Sequence, residues 1–218
     1  MLRLRSKPPL LINMKKTSPS AQTIRLLRTK LKIMLTQSQC QTLLITSAYS
    51  GEGKTMITAN IGVAFALEGK KVLLIDANLR EPKLHKVVGA TNVTGLGHYL
   101  EGDRLPEVII RETDVKNLYL LPGTITEADP SELLGSEKMD LLLREVVTQY
   151  DYVLIDSPSV LNVTDALVMT AKCCGTLLVV KHNKVSTDIL QKVKESIECV
   201  NGRIIGSIIN QADYIGRS

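Results

Sequence analysis

The sequence predicts an α/β fold in which a mostly parallel central sheet is flanked by helices in a single domain. Three observations support this. Short apolar runs alternate along the chain with segments of helical spacing, as in successive β-α-β units. The runs are nearly continuous rather than alternating, which is typical of strands buried on both faces. A glycine-rich segment joins the first run to a long helical segment, where ligands bind in such folds.

Composition bounds the protein's class. The chain has 218 residues, of which 44% are hydrophobic, enough for one ordinary globular domain. The net charge of +5 favours acidic partners such as phosphates or a membrane surface without selecting one. Only 3% of residues are aromatic and Trp is absent, so base stacking is disfavoured and we predict no nucleic-acid partner. No apolar run approaches the roughly 18 residues of a membrane span, and no signal peptide is evident, so we predict a cytoplasmic protein.

The cysteines and histidines give no sign of a metal or redox site. The cysteines contain no C-x-x-C pair, and we expect buried reduced thiols, as is usual in a reducing compartment. The histidines are scattered without ligand spacing. The residues concerned are Cys40, Cys173, Cys174, Cys199, His85, His98 and His182.

Three regions follow one another along the chain. Residues 1–20 are predicted to form a flexible basic arm, residues 21–212 the folded domain, and residues 213–218 a C-terminal tail. A first helix is predicted within residues 21–35, whereas residues 81–117 are too irregular for assignment. Strands are predicted at residues 42–46, 71–75, 118–121, 152–155, 176–180 and 204–209. Further helices are predicted at residues 54–67, 131–149, 165–171 and 186–200.

The glycine-rich segment has the pattern of a phosphate-binding loop. Residues 48–55 read A-Y-S-G-E-G-K-T, so Ala48 replaces the first glycine of G-x-x-x-x-G-K-[ST] and the fold is predicted to be that of a P-loop NTPase. Glycines let backbone N–H groups curl around an anion, and the following helix adds its dipole. Lys54 is predicted to reach the β- and γ-phosphates and Thr55 to ligate Mg²⁺. The alternative is a glycine turn with an exposed lysine. The predicted nucleotide-binding residues are Ser50, Gly51, Glu52, Gly53, Lys54, Thr55 and Met56.

Two aspartates directly follow predicted strands. Asp76 closes the run V-L-L-I and Asp156 closes the run Y-V-L-I. A carboxylate at a strand end beside a phosphate-binding loop can hold Mg²⁺ or its water shell, and Asp156 is the Walker-B candidate. Either aspartate could instead be an ordinary helix cap. No guanine-type N-K-x-D motif is present, which favours adenine.

Three blocks of sequence resemble the bacterial tyrosine kinases, P-loop enzymes of capsular and exopolysaccharide biosynthesis. They are residues 47–55, 72–85 and 151–166, and residues 18–31, 129–134 and 206–210 are also similar. Related partition and division-site ATPases place a signature lysine where this chain has Tyr49, which favours the kinase branch. The resemblance implies an ATP- and Mg²⁺-dependent protein-tyrosine (auto)kinase. It assigns catalysis to Lys54, Asp76 and Asp156, metal binding to Thr55, Asp76 and Asp156, and an adenine contact to Asn210.

The chain departs from this family's pattern at three places. Asn78 stands where a second acid is expected, and its amide carries no charge. Gln22 replaces the acid of an oligomerisation motif, which leaves Arg25 and Arg28 as candidate contacts in a homo-oligomer. The C-terminal tyrosine cluster is missing, so Tyr214 is either the autophosphorylation site or an ordinary tail residue. These departures favour the alternative, an ATP-binding regulatory switch subunit of the polysaccharide export machinery with little or no kinase activity.

The resemblance also implies partners. We expect a separate transmembrane activator, or chain-length regulator, that holds the protein peripherally at the membrane, and protein tyrosine substrates. The basic arm either meets that partner or anionic lipid, or is simply solvated. Its charged residues are Arg3, Arg5, Lys7, Lys15 and Lys16.

Overall fold

Seven strands form one sheet at the centre of the computed structural model, which describes residues 10, 17–102 and 106–212. The strands are β1 (Thr42–Ser47), β2 (Val72–Asp76), β3 (Arg111–Glu112), β4 (Leu118–Leu121), β5 (Tyr152–Asp156), β6 (Gly175–Lys181) and β7 (Ile204–Asn210). Their order across the sheet is β3-β4-β2-β5-β1-β6-β7. Every neighbouring pair is parallel except β3 and β4 at one edge. The predicted α/β fold with a mostly parallel sheet is confirmed.

Nine helices lie within the described residues. They are α1 (Pro19–Gln37), α2 (Lys54–Ala66), α3 (Leu84–Val88), α4 (Leu96–Glu101), α5 (Pro106–Ile109), α6 (Pro130–Gly135), α7 (Glu137–Gln149), α8 (Asp165–Lys172) and α9 (Thr187–Cys199). None of them is both long and apolar enough to cross a membrane. In α1, the Ser18 hydroxyl accepts the Ala21 N–H at 3.3 Å and Pro19 occupies the first turn, the usual signals of a helix start.

The helices cover both faces of the sheet. Leu43 and Ile45 of β1 pack with α1, α2 and α3, whereas Leu44 faces the opposite core, which contains residues of α4, α7 and α8. Strands β1, β2 and β5 are buried along their whole length. This double burial explains why the sequences of these three strands are continuously apolar. All six predicted strands lie within one residue of their observed ends.

The prediction of one continuous helix over residues 131–149 is wrong, because the structure has two helices there. The backbone at Ser136 is extended, with ψ of 157°, and separates α6 from α7. The Ser136 hydroxyl donates to the Leu133 carbonyl at 2.7 Å, so the side chain satisfies one of the carbonyls freed where α6 ends. A serine after Gly135 is a local stop signal that the helical spacing of the apolar residues hides.

The expectation of four buried reduced thiols is also wrong. Cys40 and Cys174 form a disulfide with an S–S distance of 2.08 Å, and Cys199 is exposed. Cys173 is a half-buried free thiol whose pKa is raised by burial to about 12. The bonded pair is separated by 134 residues in sequence, and it meets because β1 and β6 are neighbouring parallel strands that begin at the same edge of the sheet.

Candidate active site

The sheet brings the predicted site residues to one edge. Strands β2, β5 and β1 are adjacent, and Asp76 and Asp156 are direct partners at the carboxyl ends of β2 and β5. The phosphate-binding loop leaves the same end of β1 and runs into α2 at Lys54. Gly51 and Gly53 have φ of 80° and 93°, the left-handed region that favours glycine. A Cβ on Gly53 would lie 2.2 Å from Asn210 Nδ2, so this position also lacks room for a side chain.

The buried side chain of Glu52 stabilises the conformation of the loop through hydrogen bonds. Its side chain is fully buried, with Oε2 accepting the Tyr49 N–H at 3.1 Å and Oε1 accepting the Lys181 N–H at 3.3 Å. Ser47 Oγ adds a 2.6 Å hydrogen bond to the Tyr49 carbonyl. The carboxylate of Glu52 therefore shapes the loop, and what this residue can offer a nucleotide is its backbone N–H.

Asn210, the predicted adenine contact, lies against the loop. Its Nδ2 donates to the Glu52 carbonyl at 2.8 Å, and its Oδ1 accepts the Gln211 N–H at 2.9 Å. An amide nitrogen has a second hydrogen and an amide oxygen a second lone pair. The side chain thus ties the end of β7 to the loop and retains capacity for one further contact at each atom.

Lys54 is buried at the first position of α2. Burial lowers the pKa of its ammonium group, while the negative charges of Asp156 and Glu52 oppose that shift. This ammonium group lies beside the loop, near the carboxylates of Asp156 and Glu52, and a bound anion would further favour its charged form. Thr55 and Met56 follow in the first turn of α2, where backbone N–H groups lack helical acceptors.

Asp156 is the best-supported candidate for a metal ligand. It is 1% exposed, and burial raises its pKa to about 6 although Thr55 and Lys54 oppose the shift. Its Oδ1 is buried and has no hydrogen-bond partner among the described residues. A buried, unpartnered carboxylate oxygen is costly unless a cation satisfies it. Together with the Thr55 hydroxyl it offers the oxygen ligands that Mg²⁺ prefers, so the residues present fit this ion.

Asp76 has a different set of contacts. Its Oδ1 accepts the Asn78 N–H at 3.2 Å, and its Oδ2 accepts the N–H groups of Lys83 and Leu84 at 2.9 Å each. Burial, followed by the charge of Asp156, raises its pKa to about 7. The carboxylate therefore anchors the loop after β2 and the start of α3 through these backbone N–H groups, whereas the N-cap position of α3 is Lys83. The part of Asp76 in metal binding or proton transfer remains a prediction.

Arg80 clamps this loop to two helices. Its Nε and Nη2 each lie 2.9 Å from one oxygen of Asp165, which is fully buried in the first turn of α8. Nη2 also lies 3.4 Å from Asp129, the N-cap of α6. Sequence reasoning did not assign a role to Asp129 or Asp165. Both fall within the blocks that carry the family resemblance, but only the fold brings them to Arg80.

The remaining predicted residues lie apart from the loop or outside the described residues. Arg25 and Arg28 are on α1, and Arg28 makes an ion pair of 3.6 Å with Glu68 just after α2. Asn78 follows Asp76, and its Oδ1 accepts the Glu81 N–H at 3.3 Å. Tyr214 and the five charged residues of the basic arm lie outside the described residues.

Comparison with known proteins agrees with this geometry. Residues 40–209 match the sequence model of a family described as an AAA domain. The chain is 34% identical over 193 residues to the tyrosine-protein kinase YwqD of Bacillus subtilis (strain 168), covering 88% of this chain and 81% of that protein. The chain belongs to the bacterial tyrosine-protein kinases. The putative tyrosine-protein kinase CapB of Staphylococcus aureus is 31% identical over 93% of this chain and 89% of its own length.

Longer kinases of this family and solved structures extend the comparison. The tyrosine-protein kinase wzc of Salmonella typhi is 34% identical over 90% of this chain, which spans only 28% of that protein. The kinase domain of the Escherichia coli tyrosine kinase ETK superposes with a TM-score of 0.88 at 28% identity, covering 93% of this chain and 80% of that one. The cell division ATPase MinD of Pyrococcus furiosus has a TM-score of 0.69 at 29% identity, covering 82% of this chain and 73% of that one. The fold of this tyrosine-kinase family member is therefore that of a P-loop NTPase.

Proposed function

We propose that the protein is an ATP- and Mg²⁺-dependent protein-tyrosine kinase that phosphorylates itself or other proteins and regulates capsular or exopolysaccharide synthesis and export. The observation that carries this proposal is the unpartnered Oδ1 of Asp156 beside a phosphate-binding loop that presents Lys54 and Thr55. Relatives named tyrosine-protein kinases, similar over most of the chain, support the reaction class. The domain itself is proposed to span residues 21–212, between a basic arm (1–20) and a tail (213–218).

The chemistry follows from positioning and charge. A tyrosine hydroxyl attacks the γ-phosphorus of ATP in line, the bond to the bridging oxygen breaks and ADP leaves. Backbone N–H groups of residues 50–56 and the Lys54 ammonium group stabilise the charge on the transferred phosphoryl group. Thr55 and Asp156 would hold Mg²⁺, which would supply positive charge beside the phosphate oxygens. Asp76 is proposed to orient the phenol, take its proton or assist at the metal, and Asn210 to contact adenine.

The partners and location of the protein are part of the proposal. We propose a cytoplasmic protein that is held peripherally at the membrane by a separate transmembrane activator, with homo-oligomerisation through Arg25 and Arg28 of α1. A solved structure titled the chimerical protein CapA2B2 has a TM-score of 0.87 to this chain. A chimera of this fold supports a partnership with a second protein, and co-purification of the two proteins from membranes tests it.

The second candidate is a nucleotide-switched regulatory subunit. Two observations favour it: the uncharged Asn78, and the three backbone N–H groups that occupy Asp76. The two candidates are separated by incubating the purified protein and its membrane activator with labelled ATP. A kinase forms phosphotyrosine at a rate that depends on Lys54, whereas a switch binds ATP without transferring phosphate.

Asn78→Asp is expected to raise phosphotransfer. The new carboxylate keeps the acceptor that Asn78 offers to the Glu81 N–H, and it adds a negative charge near the proposed metal. General-base assistance is typically worth about 10²–10⁴-fold, and we expect at most the lower end because Asp76 is already present. Phosphotyrosine formation by variant and wild type, each with the activator, measures the change. An equal or lower rate in the variant would mean that Asn78 does not limit activity.

The two aspartates predict opposite effects of pH on the free and the loaded protein. Their pKa values are raised in the fold, so the free protein loses stability as pH rises from about 4, the value in an unfolded chain, to about 7. Mg²⁺ needs the ionised carboxylate, so Mg²⁺-dependent nucleotide binding strengthens over the upper part of the same range. Thermal melting and nucleotide titration between about pH 5 and 8 test both trends. Asp156→Asn should flatten them, and an unchanged pH profile in that variant would contradict the assignment.

Tyr214 is predicted to be the main acceptor if the protein phosphorylates itself. It lies four residues after Asn210, the proposed adenine contact, whereas Tyr119 and Tyr152 lie in strands. Phosphate on those strand residues would have to be desolvated. Phosphopeptide mapping of wild type and Tyr214→Phe identifies the acceptor, and unchanged phosphate incorporation in the variant would rule Tyr214 out.

A further inference from the structure

The segment that follows β6 is fastened to the phosphate-binding loop. The Lys181 N–H donates to Glu52 Oε1 at 3.3 Å, and the His182 N–H donates to the Asn210 carbonyl at 2.9 Å. Asn210 Nδ2 completes the connection with its 2.8 Å hydrogen bond to the Glu52 carbonyl. Two of these bonds use the buried loop residue Glu52, so residues 181–182 have a fixed position relative to the loop.

A turn then directs Lys184 over the loop. Asn183 has φ of 55°, in the left-handed region that asparagine tolerates, and the Lys184 N–H donates to the Lys181 carbonyl at 3.2 Å. The Lys184 Nζ donates to the Ser50 carbonyl at 3.3 Å, and it lies 3.9 Å from where a Cβ on Gly51 would stand. A second lysine thus reaches the loop from a different element than Lys54.

The ammonium group of Lys184 has unused capacity. It has three hydrogens, and the hydrogen bond to Ser50 is a long contact with an uncharged acceptor. Within residues 17–102 and 106–212, no carboxylate forms an ion pair with it. The nearby Glu52 carboxylate already accepts two backbone N–H groups. An anion at the loop would therefore be a better partner for Lys184 than the carbonyl it now contacts.

We propose that Lys184 is a second phosphate-contacting lysine that recognises the terminal phosphate of ATP. This inference rests on the proposed ATP binding at the loop. Backbone N–H groups of such loops cradle the inner phosphates, and Lys54 is buried beside them. Lys184 is exposed and lies outside the cradle, so the phosphate within its reach is the one that projects outward. On ATP binding, the Lys184 Nζ exchanges the Ser50 carbonyl for an oxygen of the γ-phosphate. The residue accordingly favours ATP over ADP.

The experiment compares nucleotide affinities of three variants in the full chain. Lys184→Ala removes the ammonium group, Lys184→Arg keeps a cation, and Lys192→Ala removes one exposed lysine from α9 as a matched control. Dissociation constants for ATP and ADP are measured with Mg²⁺ by displacement of a fluorescent nucleotide, and apo-protein melting is recorded alongside. For Lys184→Ala we expect about five- to tenfold weaker ATP binding, as for a charge-assisted contact exposed to solvent, and less than about twofold weaker ADP binding. Lys184→Arg and Lys192→Ala should stay near wild type, and all melting temperatures should agree.

Each other outcome overturns the inference. Unchanged ATP affinity in Lys184→Ala would show that the lysine does not touch phosphate. Equal losses for ATP and ADP, with a lower melting temperature, would make Lys184 a structural clamp on Ser50. An equal loss of ATP affinity in Lys192→Ala would show that the effect comes from the lower net charge of the protein and not from a contact of Lys184. If wild type itself binds no ATP, the proposed function fails as well, whereas ATP binding that depends on Lys54 but not on Lys184 overturns this inference alone.

Discussion

Lys54→Met is expected to abolish phosphotransfer from ATP while the protein remains folded. The lysine is the one charged side chain that the phosphate-binding loop presents from α2, and removal of a preorganised charge at the transferred group typically costs at least about 10²–10³-fold in rate. Burial lowers the pKa of Lys54 because the charged ammonium group is desolvated, and an apolar side chain of similar length avoids this cost. The apo variant should therefore melt no lower than wild type. Phosphotyrosine formation, ATP affinity and thermal melting measure the three expectations.

A matched control for this change is Lys192→Met, which removes a lysine of the same length from the exposed side of α9. It should leave phosphotransfer and nucleotide affinity unchanged. Normal ATP turnover by a folded Lys54→Met protein would contradict the assignment of the loop.

Asp156→Asn is expected to remove most of the Mg²⁺ dependence of nucleotide binding. The unpartnered Oδ1 of Asp156 is the atom that fits the ion, and loss of groups that support a metal costs about 10–100-fold in affinity. Binding without Mg²⁺ should change little or improve, since one negative charge near the phosphates is gone. Nucleotide titrations with and without Mg²⁺ measure the two affinities separately. An equal loss of affinity under both conditions would mean that Asp156 has a structural role and is not a metal ligand.

Asp76→Asn provides the contrast, because the two aspartates are partners in the sheet but have different contacts. An asparagine can accept at its oxygen only, so its NH₂ group would face backbone N–H donors of Asn78 or of Lys83 and Leu84. This variant should melt at a lower temperature than Asp156→Asn. The reverse order would contradict the division into an anchor and a metal ligand.

The parts of this fold that sequence reasoning predicted are those with a local cause. Strands such as β1 are buried on both faces and so are uniformly apolar, and the glycines of the phosphate-binding loop occupy backbone conformations that other residues avoid. Asp76 and Asp156 could be placed together because parallel strands end at a common edge. In each case, the structural requirement restricts the residue types at a few consecutive positions, so it can be recognised in the sequence.

The parts that sequence reasoning missed depend on distant contacts. The region 81–117 contains short helices held from elsewhere, as where the Leu96 N–H donates to the Pro122 carbonyl at 2.8 Å. The disulfide between Cys40 and Cys174 follows from the neighbouring positions of β1 and β6. The inward turn of the Glu52 carboxylate depends on the Lys181 backbone, 129 residues away in sequence. Contacts between residues so far apart in sequence leave no local pattern from which they could be predicted.

The most direct test of the central claim is transfer of the labelled γ-phosphate of ATP to tyrosine by the purified full chain. Wild type and Lys54→Met are each incubated with Mg²⁺, labelled ATP and the transmembrane activator, and phosphotyrosine is quantified after hydrolysis of the protein. We expect phosphotyrosine that accumulates with time in wild type, requires Mg²⁺ and is absent from Lys54→Met. Tight ATP binding by wild type with no phosphotyrosine on the chain or on added protein substrates would contradict the kinase and identify a regulatory switch instead.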